Sequence, residues 1–176
     1  MHPAPLWLSN HLSLFFSMLK HLPTRPRVSV QGIGRIAIVA SRYNTELVEA
    51  MVAKAQEEII STDPQAKIEV VHAPGSFEIP FLAQLIIQRH KPDAVICLGV
   101  ILRGATGHAD LIAASVSDTL CQLSVTTGTP VIHGVLLLDN EEQAKERCLG
   151  DEYNRGTEAA RAVLEVLREA KGIITR

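Results

Sequence analysis

One stretch of the sequence is expected to contain both a core strand and a functional turn after it: Leu98-Gly99-Val100-Ile101-Leu102-Arg103-Gly104-Ala105-Thr106-Gly107-His108-Ala109-Asp110. The apolar segment Ala94–Leu102 is too short for a core helix and lies between Pro92 and Gly104, which predicts a buried parallel strand. After His108 the apolar residues have helical spacing, so residues 103–110 are expected to form a strand-to-helix turn. Open α/β sheets bind their ligands at such turns.

The residues of this turn suit an anion and a proton transfer. Gly104 and Gly107 would free the backbone, and Thr106 can cap the following helix. Unpaired amides at a helix start favour phosphate, and His108 beside them is a candidate proton carrier. The alternative is structural, because glycine-rich turns occur in many α/β proteins and a single histidine there is often an ordinary polar loop residue.

From Arg35 onward the chain alternates predicted strands and helices with short connections, which is typical of a doubly wound parallel sheet. We therefore predict a single α/β domain with three layers and a flavodoxin-like fold. The predicted strands are 35–41, 67–72, 94–102 and 131–138. Five helices are predicted. The first begins at Asn44 or Thr45, the second near Pro80, and the third runs from His108 to about Thr126. The last two span about 140–148 and 155–170.

Several local signals define the ends of these elements. Asn44 or Thr45 is expected to cap the first helix, and Glu142 to complete a capping box in the fourth. Pro80 pushes the preceding residue toward extended geometry, which predicts an exposed loop over residues 75–79.

Composition excludes several function classes. The 176 residues are 47% hydrophobic, enough for one sizeable core, and the formal net charge of −2 argues against nucleic acid as a partner. Cys97, Cys121 and Cys148 are odd in number and lack CxxC spacing, so neither a disulfide nor a metal site is expected. Free thiols fit a reducing, cytoplasmic location.

Residues 1–31 differ from the rest and are interpreted as an N-terminal tail, with the domain at 32–176. The apolar segment Leu6–Leu19 is interrupted by polar residues and has neither a basic n-region nor a cleavage site, so a signal peptide is not favoured. It is also too short to span a bilayer, and no membrane partner is expected. Met18-Leu19-Lys20 resembles a conventional translation start, and the sequence leaves both Met1 and Met18 open as the start.

Three polar loops follow predicted strands, at residues 41–44, 75–78 and 103–108, and should converge at one edge of the sheet. Tyr43 could stack on a planar ring and Glu78 could accept hydrogen bonds from hydroxyl groups. The alternatives are an ordinary surface aromatic and a carboxylate that favours the helix dipole.

Taken together, the loops carry motifs that resemble the lumazine synthase family across residues 34–170. The matching pieces are Ser41-Arg42-Tyr43-Asn44, Pro74-Gly75-Ser76-Phe77-Glu78-Ile79-Pro80, Arg103-Gly104-Ala105-Thr106-Gly107-His108, Thr127-Gly128-Thr129-Pro130-Val131-Ile132, Glu142-Gln143-Ala144 with Arg147, and Asn154-Arg155-Gly156. The second and third pieces, at this separation, are highly specific.

The resemblance implies condensation of 5-amino-6-(D-ribitylamino)uracil with 3,4-dihydroxy-2-butanone 4-phosphate to 6,7-dimethyl-8-ribityllumazine, the penultimate step of riboflavin synthesis. It implies no cofactor and no metal. His108 matches the family's proton-transfer histidine, Ala105 and Thr106 match its phosphate-binding turn, and Arg147 matches its phosphate-binding arginine.

The resemblance also assigns the second substrate. Tyr43 would stack on the pyrimidine with Asn44 beside it, and the ribityl chain would meet Ser76, Phe77 and Glu78. Backbone groups of Val100, Ile101 and Leu102 would contact the pyrimidine, so their side chains can be apolar.

Some positions depart from the family pattern. Arg155 stands where lysine is usual, His133 where phenylalanine is usual, and Leu137-Leu138 where two threonines are common. Arg155 keeps the charge but presents a planar fork, while His133 could still stack on the substrate. Asp139 is expected to cap the following helix in place of the threonines.

The family assembly divides these residues between subunits. Tyr43, Glu78 and His108 would come from one subunit, and His133, Arg147 and Arg155 from its neighbour. A head-to-tail ring follows, expected to be a homopentamer or an assembly of pentamers, with Val28-Ser29-Val30 able to pair with a neighbour's sheet. Riboflavin synthase is a further partner that the resemblance implies.

Two other functions stay open from the sequence. One is a non-catalytic, shell-forming homologue that binds lumazine or flavin, although it would not need His108 and Arg147. The other is a generic flavodoxin-like nucleotide binder, although residues 41–44 lack the glycines of such sites.

Overall fold

The computed structural model describes residues 32–151 and 153–175. Four strands alternate with five helices along this part of the chain. In order they are β1 (Arg35–Ser41), α1 (Thr45–Thr62), β2 (Lys67–Ala73), a 3₁₀ turn (Ser76–Glu78), α2 (Ile79–His90), β3 (Ala94–Leu102), α3 (His108–Thr127), β4 (Val131–Leu138), α4 (Glu141–Leu149) and α5 (Arg155–Ile174). The predicted tail 1–31 lies outside the described residues.

The strands form one parallel sheet in the order β2-β1-β3-β4. β1 and β3 occupy the centre because their sequences are apolar on both faces, and Ala94–Val100 is buried throughout. The chain runs from β1 outward to β2 and then crosses to β3 on the other side. This reversal places a topological switch point between β1 and β3, where ligands of such sheets bind.

Helices cover both faces of the sheet. Ile96 and Leu98 face one hydrophobic cluster, which is completed by α1, α4 and α5. Val95 and Cys97 face the other, which is completed by α2 and α3. The alternation of side chains along β3 therefore fills two separate cores, and the predicted three-layer, flavodoxin-like α/β fold is confirmed.

The start of α5 is fixed by a buried asparagine and a close helix contact. Asn154 Oδ1 accepts hydrogen bonds from the amides of Gly156 (2.9 Å) and Thr157 (3.4 Å), while its Nδ2 donates to the Cys148 carbonyl (2.6 Å). The α5 backbone then passes so close to α1 that a Cβ atom at Gly156 would lie 2.0 Å from the carbonyl oxygen of Met51. Only glycine fits this contact.

Five local predictions are wrong in whole or in part. Residues 75–79 are not an exposed loop, because Ser76–Glu78 forms a 3₁₀ turn and Ser76 and Ile79 are buried. The side chains of Asn44 and Thr106 cap no helix, since the helices after them have no side-chain cap.

At α4 the cap is Asn140, not Asp139, and the residue that reaches back is Gln143, not Glu142. The amide of Gln143 donates to Asn140 Oδ1 and its side-chain oxygen accepts from the Asp139 amide. The helix begins at Glu141, so the third helical position falls on Gln143.

All three thiols are free, with Cys97 and Cys148 buried and Cys121 exposed. Burial raises the pKa of Cys148 to about 11. Over the described ranges, no helix has both the length and the apolar character needed to cross a bilayer.

We predict that Gly156→Ala lowers the free energy of unfolding by about 1–3 kcal/mol, because the added methyl group overlaps backbone rather than a movable side chain. Gly172→Ala on the same helix is the control, since nothing lies within 4 Å of its added methyl group. Alanine's helix preference should leave that variant equal to or slightly more stable than the wild type. Urea unfolding at one protein concentration measures both, and equal stability of the two variants would contradict the contact.

Candidate functional site

A cavity of about 750 Å³ opens at the carboxyl ends of β1, β2 and β3, beside the switch point. Most of the residues predicted to bind substrate line it. These are Tyr43, Asn44, Ser76, Phe77, Glu78, Val100, Ile101, Leu102, Thr106 and His108, together with Gly75, Gly104, Ala109 and Ile112, which were not among the predicted substrate-binding residues. The structure thus brings the three predicted loops to one place.

One wall carries an aromatic ring and a carboxylate side by side. A methyl group at Gly75 would lie 3.0 Å from Glu78 Oε2 and 3.6 Å from Tyr43 Cδ2, so both groups close around this glycine. The Tyr43 side chain is 73% exposed and Phe77 is 58% exposed, which leaves both rings accessible to a planar ligand.

Asn44 ties the end of β1 to β3. Its backbone adopts the left-handed conformation (φ 56°), which is uncommon outside glycine and places its carbonyl to accept from the amides of Leu47 and Val48. Its Nδ2 donates to the Val100 carbonyl (3.0 Å).

The floor of the cavity holds an unpaired hydroxyl. Ser76 Oγ is buried and has no hydrogen-bond partner. It lies against Gly99 of β3, where an added Cβ would be 2.7 Å from it and 3.3 Å from Ser41 Oγ. A buried hydroxyl without a partner carries a desolvation cost that a polar ligand would offset.

The turn after β3 is exposed, and His108 is the first residue of α3. Gly104, Thr106 and His108 line the cavity, whereas Ala105 does not. Gly104 and Gly107 do not use the left-handed region that glycine allows, contrary to the role expected for them. Both sites are open, with nothing within 4 Å of an added Cβ.

The described residues of the cavity wall lack the positive charge that would balance a phosphorylated substrate. Neither lysine nor arginine is among its lining residues in the described part of the chain, and Glu78 contributes a negative charge. Phosphate sites in proteins usually include a cation that makes charge-assisted hydrogen bonds. Among the described residues, the cavity wall offers the His108 imidazole but no lysine or arginine.

The predicted residues His133, Arg147 and Arg155 form a second cluster, at β4, the last turn of α4 and the start of α5. Arg147 Nη2 donates to both carboxylate oxygens of Glu158 (2.9 and 2.8 Å). Arg155 donates to Glu158 Oε2 (3.0 Å) and to the His133 carbonyl (2.6 Å). With two arginines and one glutamate, the cluster carries a net positive charge. None of these residues lines the cavity.

His133 is neutral in this cluster. Ser117 Oγ lies 2.9 Å from His133 Nε2 and 2.7 Å from the Ala113 carbonyl oxygen, and the His133 tautomer decides which partner donates in the first contact. Burial, together with the nearby Arg155 charge, lowers the pKa of His133 below its ordinary value of 6.5.

Sequence reasoning missed two groups of charged residues. Glu158, which holds both arginines, is recognisable beforehand only as a first-turn acid of α5. Arg103, beside the cavity turn, pairs with Asp110 and Asp139. The contacts of Arg147 with Glu158 and of Arg103 with Asp110 and Asp139 join different elements, which local spacing does not reveal, whereas Arg155 and Glu158 are three residues apart on α5.

Comparisons with known proteins show the family of this chain. Residues 34–171 match the family model described as 6,7-dimethyl-8-ribityllumazine synthase. A protein of that name from Leuconostoc mesenteroides subsp. mesenteroides is 36% identical over 134 residues, which cover 76% of this chain and 86% of the relative. The matched range includes both the cavity and the arginine cluster.

The environment of His133 predicts a pH effect on stability. In the unfolded chain this imidazole takes up a proton near pH 6.5, whereas in the fold it does so at lower pH. The unfolded state therefore binds more protons below about pH 6.5, and stability falls as the pH falls through that window. His133→Phe should remove this contribution.

The measurement is urea unfolding of wild type and His133→Phe between pH 7.5 and 5. The difference between their unfolding free energies should change in favour of the variant as the pH falls below about 6.5. Parallel curves would show that His133 is not held neutral.

Proposed function

Because the chain belongs to the 6,7-dimethyl-8-ribityllumazine synthase family, it is a transferase of riboflavin biosynthesis, and we propose that its reaction takes place in the cavity bounded by β1, β2 and β3. It condenses 5-amino-6-(D-ribitylamino)uracil with 3,4-dihydroxy-2-butanone 4-phosphate to 6,7-dimethyl-8-ribityllumazine. The observation that supports this location is the convergence of His108 with the three strand-end loops on one cavity.

His108 is proposed to move the protons of the reaction. Imine formation, phosphate elimination and ring closure each transfer a proton near neutral pH, for which imidazole is suited. His108 is exposed at the start of α3 and faces the same cavity as Thr106, so substrate reaches both groups together.

The pyrimidine and its ribityl chain are proposed to bind between Tyr43 and Glu78. The exposed Tyr43 ring offers a stacking face, with Asn44 beside it, and the Glu78 carboxylate accepts hydrogen bonds from ribityl hydroxyls. Ser76 Oγ lacks a partner and supplies a further polar contact at the floor, with Phe77 covering the chain. Backbone groups of 100–102 would contact the ring.

The phosphate is proposed to bind at the turn containing Ala105 and Thr106 and to pair with Arg147 of a neighbouring subunit. The cavity wall has no cation of its own among the described residues, and the Arg147 cluster of the same chain lies outside it. The cavity and the cluster are therefore complementary halves, and head-to-tail contacts between copies would join them.

His133 and Arg155 are proposed to complete the pyrimidine end from the same neighbour. Arg155 already donates to the His133 carbonyl, so the two move as a unit. Glu158 holds both arginines in place while leaving the cluster positive.

Family members form oligomers, and for this chain we propose a pentamer, with larger assemblies of pentamers permitted. Head-to-tail contacts close into rings, and the number five rests on the family resemblance alone. The proposed division is a tail at 1–31 and a domain at 32–176. β2 is an edge strand of the described sheet, which leaves one side for Val28-Ser29-Val30 of another subunit.

Two further proposals concern the setting of the enzyme. Riboflavin synthase is the proposed partner because it consumes the lumazine product. A cytoplasmic location agrees with the three free thiols in the described residues.

The function is tested by incubating the purified protein with both substrates and following lumazine fluorescence. We expect His108→Ala to slow turnover by about 10²-fold, the lower end for loss of a general acid or base, since water and the substrate amine substitute in part. Its affinity for inorganic phosphate should stay close to that of the wild type. Unchanged turnover would remove His108 from the reaction, and an inactive wild type would contradict the proposed function itself.

A further inference from the structure

Arg103 lies between α4 and the turn 104–107 that precedes His108. It directly follows β3, and its amide donates to the Leu138 carbonyl at the end of β4 (2.9 Å). Its guanidinium makes two contacts with Asp110 of the first turn of α3, from Nη2 (2.8 Å) and from Nε (3.1 Å). Its Nη1 donates to Asp139, directly after β4.

The contacts continue into α4. Asp139 donates its amide to the Gln143 side-chain oxygen (3.0 Å), and Gln143 Nε2 donates back to Asp139 Oδ2 (3.4 Å). Gln143 is one helical turn before Arg147 on the same face of α4. An unbroken set of hydrogen bonds thus joins the start of α3, which carries His108, to the helix that carries Arg147.

Arg103 is not itself a phosphate ligand in this arrangement. Its planar guanidinium is engaged by two carboxylates from two elements, and it does not line the cavity. The hydrogen bonds from Arg103 lower the pKa values of both Asp110 and Asp139, so both are charged at neutral pH. The three side chains together carry a net negative charge, which leaves no positive charge for the substrate.

We propose that Arg103 is a positioning residue that fixes the turn 104–107 and His108 relative to α4 through Asp110 and Asp139. The turn needs such a restraint, because it is exposed, its helix has no side-chain cap, and a Cβ added at either of its glycines would meet nothing within 4 Å. The inference rests on the proposed role of His108. Within one subunit, these bonds connect the turn of its own cavity to α4. Arg147 on that helix is proposed to complete the site of the neighbouring subunit.

The bonds are exposed at the surface, and such ion pairs contribute little to the free energy of folding. Their effect should therefore appear in geometry. Misplacement of a catalytic group by about 1 Å costs about 10²-fold in rate. If the turn still adopts its correct position part of the time, the loss in rate is smaller than this. We therefore expect Arg103→Met to lower kcat about tenfold.

The test has two arms. In the first, kcat is measured for Arg103→Met in the wild-type and His108→Ala backgrounds. If Arg103 acts through His108, the roughly tenfold loss is present in the first background and absent in the second. Arg103→Lys should give an intermediate loss, because one ammonium cannot span both carboxylates. Arg168→Met is the control, since Arg168 is equally exposed (42% against 41%) and also paired with a carboxylate, but lies on α5.

The second arm needs no activity. Hydrogen exchange of the amides in 104–112 should be faster in Arg103→Met and in Asp139→Ala than in wild type, and unchanged in Arg168→Met. Unchanged exchange in both variants overturns the proposal, as does a turnover loss that is equally large without His108. An inactive wild type would contradict the proposed function, and the exchange arm would then decide on Arg103 alone.

Discussion

The structure depends on the burial of β3 from both faces. A strand that is apolar at every position must be covered by helices on each side of the sheet, which requires parallel neighbours and crossover connections. Polar side chains are thereby excluded until the strand ends at Leu102. The residues proposed to carry out the reaction lie where this constraint stops, in the turn from Arg103 to His108 and in the loops that end β1 and β2.

Charge is distributed unevenly over this scaffold. The cavity holds a histidine, an accessible aromatic ring and a carboxylate, whereas the two arginines that suit a phosphate or a polar ring are held by Glu158 along β4. Each half is incomplete for the family's reaction, and each has what the other lacks. This distribution supports the proposal that catalysis takes place where two copies meet. Within each copy, the hydrogen bonds of Arg103 link the cavity to the helix that carries Arg147.

The fold could be predicted from the sequence because hydrophobic periodicity and glycine or proline positions report local structure directly. All four strands and five helices lie within a few residues of their expected bounds. One error comes from a longer-range bond, because Asn44 was expected to cap a helix but binds the Val100 carbonyl of another strand. The error at α4 is local, because the helix begins at Glu141 and places Gln143 at its third position. The pairs that Arg147 makes with Glu158 and Arg103 makes with Asp139 escaped notice because folding brings their elements together, and the roles of the site residues stay predictions.

The most direct measurement for the shared site is complementation between two inactive variants. His108→Ala and Arg147→Ala are refolded together or co-expressed, and native mass spectrometry establishes that the rings are mixed. With random assortment in a head-to-tail ring, about a quarter of the interfaces regain both intact halves, so lumazine formation should return to about that fraction of wild type. Mixed rings without activity would mean that His108 and Arg147 act within one subunit, which contradicts the account.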